Sequence, residues 1–319
     1  MRVLVTGAAG FYGWNMVQRL VKKKNVNKVI GVDNFSRTFF ERVKPEILGD
    51  DNSKFELHRM DYGKIDTHIL NNFDVDAIIH FAAFVSIDES MLIPQEYFLN
   101  NEVGTFSFTQ AILKSKNHPS LIMASSPEVY GDPLYTPMDE NHPLRPRSTY
   151  AATKVACEKH CMTMHEWYGY PVVAMRNFNT YGPNQNIWGH GAVLPTFISR
   201  SLKNETLRIE GEGKQTRDFM FIEDAIDAYE RVLDNISHVK GEIFNIGTGV
   251  QTSIKDLASL VLSATGSQST VQHVPGRLGD LRALAADTTK INKAIGWKPK
   301  TPFADGLKTT VEWYRKYQG

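Results

Sequence analysis

The segment Val3–Gly13, with the sequence VLVTGAAGFYG, decides the fold class of this chain. A short apolar run leads directly into a turn with glycines at Gly7, Gly10 and Gly13, and apolar residues then recur at helical spacing as far as Val21. Glycines allow the backbone to approach a pyrophosphate closely, and the N-terminus of a helix offers free N–H groups and the positive end of a dipole. The segment therefore predicts a strand, a phosphate-binding glycine turn and a helix.

An acidic residue follows the next predicted strand. The predicted strand Lys28–Val32 is mostly apolar, and the residue after it is Asp33, twenty residues beyond Gly13. A carboxylate at this spacing accepts hydrogen bonds from the adenosine ribose hydroxyls and repels a 2′-phosphate. The spacing thus favours NAD as the cofactor, and Arg37 keeps NADP open as the less favoured alternative.

Two later segments, residues 55–60 and 77–83, predict further strands separated by helical stretches. Their C-terminal ends carry small, aromatic or polar residues, namely Asp61, Tyr62, Phe81, Ala82 and Ala83. The C-terminal ends of parallel strands meet at one edge of a doubly wound sheet, and ligands bind in the crevice there. The alternation therefore predicts an α/β fold with a Rossmann-type doubly wound parallel sheet.

The candidate catalytic residues lie in Ser125–Gly131 and in Tyr150–Lys154. The predicted strand over residues 121–124 delivers Ser126 to the same sheet edge, and Tyr150 and Lys154 lie one helical turn apart. Phenols ionise near a pH of about 10, and a neighbouring ammonium or a bound, positively charged nicotinamide favours the phenolate. The pattern predicts a tyrosine base, although this spacing alone also fits an ordinary amphipathic helix.

Composition excludes several classes of protein. The 319 residues are 42% hydrophobic and carry a formal charge of +1, so a globular chain is expected. The longest basic block is Lys22–Lys24, which gives little support to a nucleic-acid surface. The first predicted strand begins at Arg2, no apolar run is long enough for a membrane span, and a cytoplasmic location is therefore expected.

The two cysteines, Cys157 and Cys161, form a stripe with His165 at a spacing of four residues. Such a stripe on a helix can in principle bind a metal ion. Small buried hydrophobic residues are the favoured interpretation, and no metal site is predicted.

Eight motifs in order resemble the extended short-chain dehydrogenase/reductase family, the NAD-dependent epimerases and dehydratases of nucleotide sugars. They are TGAAGFYG, the Asp33 acid, HFAA, SSPEVYG, YAATK, RNFNTYGP, QTRDF and RLGD, and they span nearly the whole chain. The resemblance implies a Rossmann domain over residues 1–178 that holds NAD permanently, and a smaller domain over residues 179–319 that binds a nucleoside-diphosphate sugar. Segments within about 219–253 are expected to return to the first domain. The family also implies a homodimer through the helices that begin near Gln95 and Tyr150.

The resemblance carries the family's site residues onto this chain. It assigns catalysis to Ser126, Tyr150 and Lys154. It places the cofactor at Gly7, Gly10, Phe11, Tyr12, Gly13, Asp33, Asn34, Ser36, Asp61, Tyr62, Phe81, Ala82, Ala83, Asn100, Tyr150, Lys154 and Phe178.

It places the substrate at Ser126, Asn179, Val193, Arg217, Arg277, Asp280 and Leu284. Two separated arginines, Arg217 and Arg277, can clamp a diphosphate because a guanidinium offers paired donors to phosphate oxygens. Surface ion pairs with Asp218 or Asp280 are the alternative. Leu284 matches the position that borders the C2 substituent of the sugar, and because leucine is smaller than tyrosine, an N-acetylhexosamine is expected to fit.

The residues after Ser126 bear on the reaction. A 4-epimerase needs only a proton acceptor and NAD, whereas a 4,6-dehydratase of this family carries an Asp-Glu pair where this chain has Pro127 and Glu128. We therefore expect 4-epimerisation of a UDP-linked sugar. Because Glu128 adds a carboxylate at the active edge, a dehydratase or a UDP-glucuronate decarboxylase is the alternative. An NAD-sensing regulatory protein without catalysis is the alternative from another class.

Overall fold

The computed structural model describes residues 1–37, 53–186, 192–276 and 281–318. Seven parallel strands form its central sheet, in the order β10-β6-β5-β4-β1-β2-β3. The strands are β1 (Arg2–Thr6), β2 (Lys28–Asp33), β3 (Phe55–Arg59), β4 (Ala77–His80), β5 (Ser120–Ser125), β6 (Val172–Asn177) and β10 (Ile243–Ile246). This order confirms the predicted doubly wound sheet, with the change of winding direction between β1 and β4.

Helices cover both faces of this sheet, which explains why its inner strands are buried along nearly their whole length, whereas the edge strand β3, FELHR over Phe55–Arg59, is only partly buried. They are α1 (Phe11–Val21), α2 (Thr67–Phe73), α3 (Ile87–Leu92), α4 (Pro94–Tyr97), a π-helix (Phe98–Val103), α5 (Gly104–Leu113), α6 (Thr149–Tyr168), α8 (Ile222–Asp234), α9 (Ile236–Val239) and α11 (Thr289–Ile295), with 3₁₀ turns at Tyr62–Lys64 and Pro127–Tyr130. Along β1, Val3 and Val5 pack with α1 on one side, whereas Leu4 packs with Phe108 of α5 on the other.

The remaining elements build two small sheets beside the large one. β11 (Gln251–Ser253), β9 (Thr216–Phe221) and β7 (Asn179–Tyr181) form one sheet, and β12 (Val271–Val274) pairs with β8 (Leu207–Glu210) in the other. The helices α7 (Val193–Leu202), α10 (Ile254–Thr265) and α12 (Phe303–Gln318) complete this region. β10 lies late in the sequence yet pairs with β6, so the chain returns to the large sheet after β9. The division into two domains stays a prediction.

The predicted helix from Gln95 to Lys114 is interrupted by the π-helix. There the Asn101 side chain accepts a hydrogen bond from Phe84 N at 2.8 Å and donates one to Phe84 O at 2.9 Å. The segment after β4 is bound to this side chain instead of continuing the sheet, which explains why β4 ends at His80, three residues before the predicted end. π-helical turns are frequent at functional sites, and this one faces the cavity described below.

Across the described residues, no helix is both long enough and apolar enough to cross a membrane. A cytoplasmic location stays a prediction.

Candidate active site

The glycine turn joins β1 to α1 by close backbone contacts. Gly7 has φ +69°, and its amide donates to Val32 O at 2.8 Å. A Cβ atom on Gly7 would lie 2.8 Å from Ala82 N, and one on Gly13 would lie 2.0 Å from Gly7 O. Larger residues at these two positions are therefore incompatible with the observed backbone, and the turn leaves the first N–H groups of α1 open to a ligand.

Asp33 is the last residue of β2 and lies beside this turn. Its carboxylate accepts hydrogen bonds from Ala9 N at 3.0 Å and Phe35 N at 2.8 Å. Burial raises the pKa of this carboxyl group, and the two backbone donors lower it in part. The side chain of Arg37, the residue that kept NADP open, pairs with Glu89 at 2.7 Å and lies over the Phe84 ring. Its guanidinium is therefore held by a carboxylate, which weakens the case for NADP.

A cavity of about 750 Å³ extends from the glycine turn to the catalytic residues, a size suited to small-molecule ligands. Most of the predicted site residues line it: Gly7, Gly10, Phe11, Tyr12, Gly13, Asp33, Asn34, Ser36, Tyr62, Phe81, Ala82, Ala83, Asn100, Ser126, Tyr150, Lys154, Phe178 and Asn179. Fold topology thus brings the ends of β1, β2, β4, β5 and β6 to one place, as expected for the carboxyl edge of a parallel sheet.

The proposed catalytic residues lie between β5 and α6. Tyr150 and Ser126 both line the cavity, close enough for the Ser126 side chain to lower the pKa of Tyr150, and the Ser126 hydroxyl accepts a hydrogen bond from Glu128 N at 3.2 Å. Lys154 Nζ donates to Ala124 O at 2.9 Å, and its side chain is buried. The helix therefore presents a phenol and an amine side by side to the end of β5.

The expected phenolate differs from what the protein alone provides. Burial raises the pKa of Tyr150 above its usual value, the hydrogen bond with Ser126 lowers it, and the nearby charge of Glu128 raises it. Burial also lowers the pKa of Lys154, against the raising effect of neighbouring groups that include Glu158. The two residues by themselves thus keep the phenol protonated near neutrality, because desolvation outweighs the charges in reach.

Several predicted residues occupy other positions. The Asp61 carboxylate caps the 3₁₀ turn by accepting from Gly63 N at 2.8 Å. Val193 begins α7 and packs against the core, while its neighbour Ala192 lines the cavity. Arg217 donates from Nη1 to Thr216 O and Leu281 O.

The largest difference concerns Leu284, which was expected to border the sugar. Its side chain is fully buried in a cluster with Val129, Tyr130, Met138 and Phe178, and it does not line the described cavity. A local sequence match does not show which way a side chain points within a loop, and a contact between Leu284 and the sugar stays a prediction.

Both members of one predicted pair, Arg277 and Asp280, lie outside the described residues. Asp218 does not form the surface ion pair that was considered as the alternative. That carboxylate is buried and accepts from the amides of Thr248, Gly249 and Ala286. Burial raises its pKa, and these donors lower it in part.

The structure adds residues that the sequence did not single out. Gln185 lines the cavity, and its Oε1 atom is buried with no hydrogen-bond partner among the described residues. Asn179 Oδ1 is in the same situation. Because nearly all buried polar atoms in proteins are hydrogen-bonded, two such acceptors at one cavity indicate a ligand that donates to them. A glutamine in a turn carries no sequence signal of this role.

The stripe of Cys157, Cys161 and His165 has ordinary structural contacts. Both thiols are buried, Cys157 Sγ lies 3.0 Å from Asn101 O, and His165 Nδ1 is bonded to Tyr170 O at 2.8 Å. Within the described ranges, no group of three His, Cys, Asp or Glu side chains is arranged to hold a metal ion.

Comparisons with known proteins agree with this geometry. The family model of GDP-mannose 4,6 dehydratase matches residues 4–310. The chain is 34% identical to UDP-glucose 4-epimerase of Mycolicibacterium smegmatis, over 99% of each chain. It is 32% identical to human dTDP-D-glucose 4,6-dehydratase, over 99% of this chain and 90% of that protein.

Among solved structures, the dTDP-glucose 4,6-dehydratase DesIV of Streptomyces venezuelae superposes with a TM-score of 0.91 at 30% identity, over 100% of this chain and 98% of that one. That structure holds NAD, which agrees with the predicted cofactor. The family match over most of the length, the doubly wound sheet and the Ser126-Tyr150-Lys154 geometry lead to one conclusion. The chain belongs to the GDP-mannose 4,6 dehydratase family, within the extended short-chain dehydrogenases/reductases that act as NAD-dependent nucleotide-sugar epimerases and dehydratases.

Proposed function

We propose that this protein catalyses the NAD-dependent 4-epimerisation of a UDP-linked hexose or N-acetylhexosamine. The observation that carries the proposal is the residue after Ser126, which is the buried Pro127. Proline cannot donate a proton to a leaving hydroxyl group, as 4,6-dehydration requires. Among the described residues that line the cavity, the carboxylates are Asp33 and Glu89, and both are engaged by other groups.

The residues of the chain fit the proton transfers of an epimerase. Tyr150 removes the proton of the sugar C4 hydroxyl while Ser126 holds that oxygen by a hydrogen bond. Bound NAD would supply a hydride acceptor for C4 and a positive charge that favours the tyrosine phenolate. Lys154, held by Ala124 O, keeps a cation beside the phenol. The proton returns from Tyr150 after the 4-keto sugar has presented its opposite face, so no further acid or base is needed.

Asn179 and Gln185 support a sugar at the far end of the cavity. Their unpartnered carbonyl oxygens accept hydrogen bonds, and hydroxyl or amide N–H groups of a sugar are donors of the right kind. Arg217, on β9, and Arg277 remain the proposed contacts of the diphosphate.

The test is direct incubation of the purified protein with UDP-glucose, UDP-N-acetylglucosamine and UDP-glucuronate, with identification of the products by NMR. Formation of the C4 epimer from one of these sugars supports the proposal. A 4-keto-6-deoxy sugar or a pentose product instead refutes it and assigns dehydration or decarboxylation. No conversion of any of them, with NAD bound, favours a regulatory role.

Dehydration or decarboxylation is the second candidate because Glu128 lies close enough to Tyr150 for its charge to raise the tyrosine pKa. Glu128→Gln separates the two functions. If Glu128 acts only through its charge, its removal lowers the Tyr150 pKa, and the rising limb of kcat against pH moves to lower pH with the product unchanged. If Glu128 is the acid or base of a lyase, product formation is lost.

We also propose that the protein forms a homodimer. Helices α3 to α6 carry large exposed hydrophobic side chains, namely Leu92, Phe98, Leu99, Phe106, Trp167 and Tyr168. Exposed apolar patches of this kind mark interaction sites. Sedimentation should show a dimer that Phe106→Glu dissociates, whereas Val250→Glu, which replaces an exposed residue elsewhere, should have no effect. A monomeric wild type would contradict the proposal.

A further inference from the structure

Three side chains of α6, each one turn from the next, contact three consecutive residues at the end of β5. Tyr150 lies beside Ser126 at the cavity, Lys154 Nζ donates to Ala124 O at 2.9 Å, and Glu158 accepts from Ser125 Oγ at 2.9 Å. The first two contacts belong to the proposed catalytic group. The third has no assigned role, yet it joins the same helix to the same strand between the other two.

Glu158 is held from a second direction by Arg176 on β6. Arg176 donates from Nε at 3.0 Å and from Nη2 at 2.6 Å to the two carboxylate oxygens, and the guanidinium lies over the Tyr130 ring. The side chains of Glu158 and Arg176 are 0% and 3% exposed, so this bidentate ion pair is removed from water. Paired donors of this kind restrict the carboxylate in both distance and direction.

We propose that Glu158 is a positioning residue for the reaction proposed above, on which this inference rests. Anchored by Arg176, Glu158 sets the register of α6 against β5, so that Tyr150 and Lys154 stay aligned with Ser126.

Stability alone does not explain such a pair. Buried ion pairs are often replaceable by apolar residues of similar size without loss of stability, because desolvation offsets their attraction. Here the carboxylate also receives the hydroxyl of Ser125, the residue next to the proposed catalytic serine. A rotation or slide of α6 would break this bond and shift Tyr150 by a comparable distance. In addition, the Glu158 charge favours the ammonium form of Lys154.

Ser125→Ala is the first test because it removes the strand end of the link and leaves the ion pair intact. We expect kcat to fall about 10-fold with KM within about 3-fold of the wild type, since small misplacements of reacting groups act on the chemical step. Glu158→Gln should lower kcat about 100-fold for the same reason. For both variants, the isotope effect with C4-deuterated substrate should rise, because hydride transfer becomes rate-limiting.

Glu158→Gln leaves Arg176 without its anion and can fail to fold, so the double variant Glu158→Met, Arg176→Met accompanies it. It should fold and bind NAD but remain slow. The control is Tyr170→Phe, which removes the buried hydrogen bond from the Tyr170 hydroxyl to Ile112 O, away from the cavity. Rates are expressed per bound NAD. Wild-type kcat in Ser125→Ala or in the double variant would overturn the proposal.

Failure of the proposed function is recognised separately. If the wild type converts no nucleotide sugar, the epimerase proposal fails, and hydrogen exchange then tests the positioning role alone. Ser125→Ala should speed amide exchange in the segments over residues 126–131 and 149–154, while Tyr170→Phe should not. Unchanged exchange in these segments would overturn the role of Glu158 whatever the activity.

Discussion

The two ends of the cavity are built in different ways. At the cofactor end, consecutive residues of one turn, Gly7 to Gly13, and the carboxylate of Asp33 form the wall through backbone contacts. At the proposed substrate end, Asn179 begins β7 and Gln185 lies in the segment that follows this short strand. This part of the chain is attached to α1 by a hydrogen bond between the Tyr12 and Thr180 hydroxyls and by one from Asn15 Nδ2 to Pro183 O at 3.2 Å.

Hydrogen-bond satisfaction differs between the two ends in the same way. Asp33 has two backbone donors at the cofactor end, whereas the side-chain oxygens of Asn179 and Gln185 are buried without partners. An unpaired buried acceptor destabilises the protein until a donor reaches it. The cofactor end is therefore preformed by the chain, while the proposed function requires the sugar to complete the other end. Changes at the first should affect cofactor binding and folding, and changes at the second should affect the sugar.

The largest expected effect lies where the two ends meet. Tyr150→Phe should lower kcat by at least about 1000-fold, because it removes the proton acceptor, while bound NAD stays near the wild-type amount. Assays of turnover and of NAD released on denaturation measure both. Tyr170→Phe is the matched control and should keep its activity. A Tyr150→Phe enzyme with near-normal turnover would show that another group accepts the proton.

Gly13→Ala tests whether the cofactor end is preformed. The new Cβ atom would meet Gly7 O at 2.0 Å, so the turn has to open, and we expect NAD affinity to fall at least about 30-fold, equivalent to about 2 kcal/mol. Gly10→Ala is the graded control, because its Cβ atom would lie 3.1 Å from the same oxygen. Titration of the cofactor-free protein with NAD measures both. Equal affinity of the two variants would mean that the turn adapts.

Leu284→Tyr tests the prediction that Leu284 borders the C2 substituent of the sugar. Since Leu284 is fully buried, the larger ring should destabilise the fold by about 1–3 kcal/mol and lower the activity with both plain and N-acetylated sugars alike. Leu284→Met, of similar volume, should cost less than about 1.5 kcal/mol. Chemical denaturation and kcat/KM with the two sugars are the measurements. A stable variant that loses only the N-acetylhexosamine would restore Leu284 as a gatekeeper.

The smallest effect is expected at the rim of the cofactor end. Glu89→Gln weakens the hold on Arg37, whose side chain is 40% exposed, so NADP binding should improve relative to NAD by no more than about 5-fold. Competition binding of the two cofactors measures the ratio. Ser90→Ala, on the same helix, is the control. An unchanged ratio would show that Asp33 alone decides between the cofactors.

Much of the cofactor end was predictable because its determinants are close in sequence. Strand, glycine turn and helix follow one another within Arg2–Val21, and Asp33 ends the next strand. Such features depend on backbone conformation, capping and periodicity over a few residues.

The substrate end was less predictable. Motif matching brought Asn179 to the cavity and passed over Gln185, and it assigned to the sugar Leu284, whose side chain is buried outside the cavity lining. Side chains on irregular segments are oriented by contacts with distant parts of the chain, which local patterns do not encode.

By itself, the sequence determined the doubly wound sheet, the glycine turn with its acid at Asp33, and the pairing of Tyr150 with Lys154 on one helical face. Only the tertiary structure decided that Arg37 meets Glu89, and that Ser125, Glu158 and Arg176 form one buried link. The physical reason is range. Periodicity and turn chemistry act between neighbours in the chain, whereas a buried charge finds its partner only when the strands and helices that carry both have packed together.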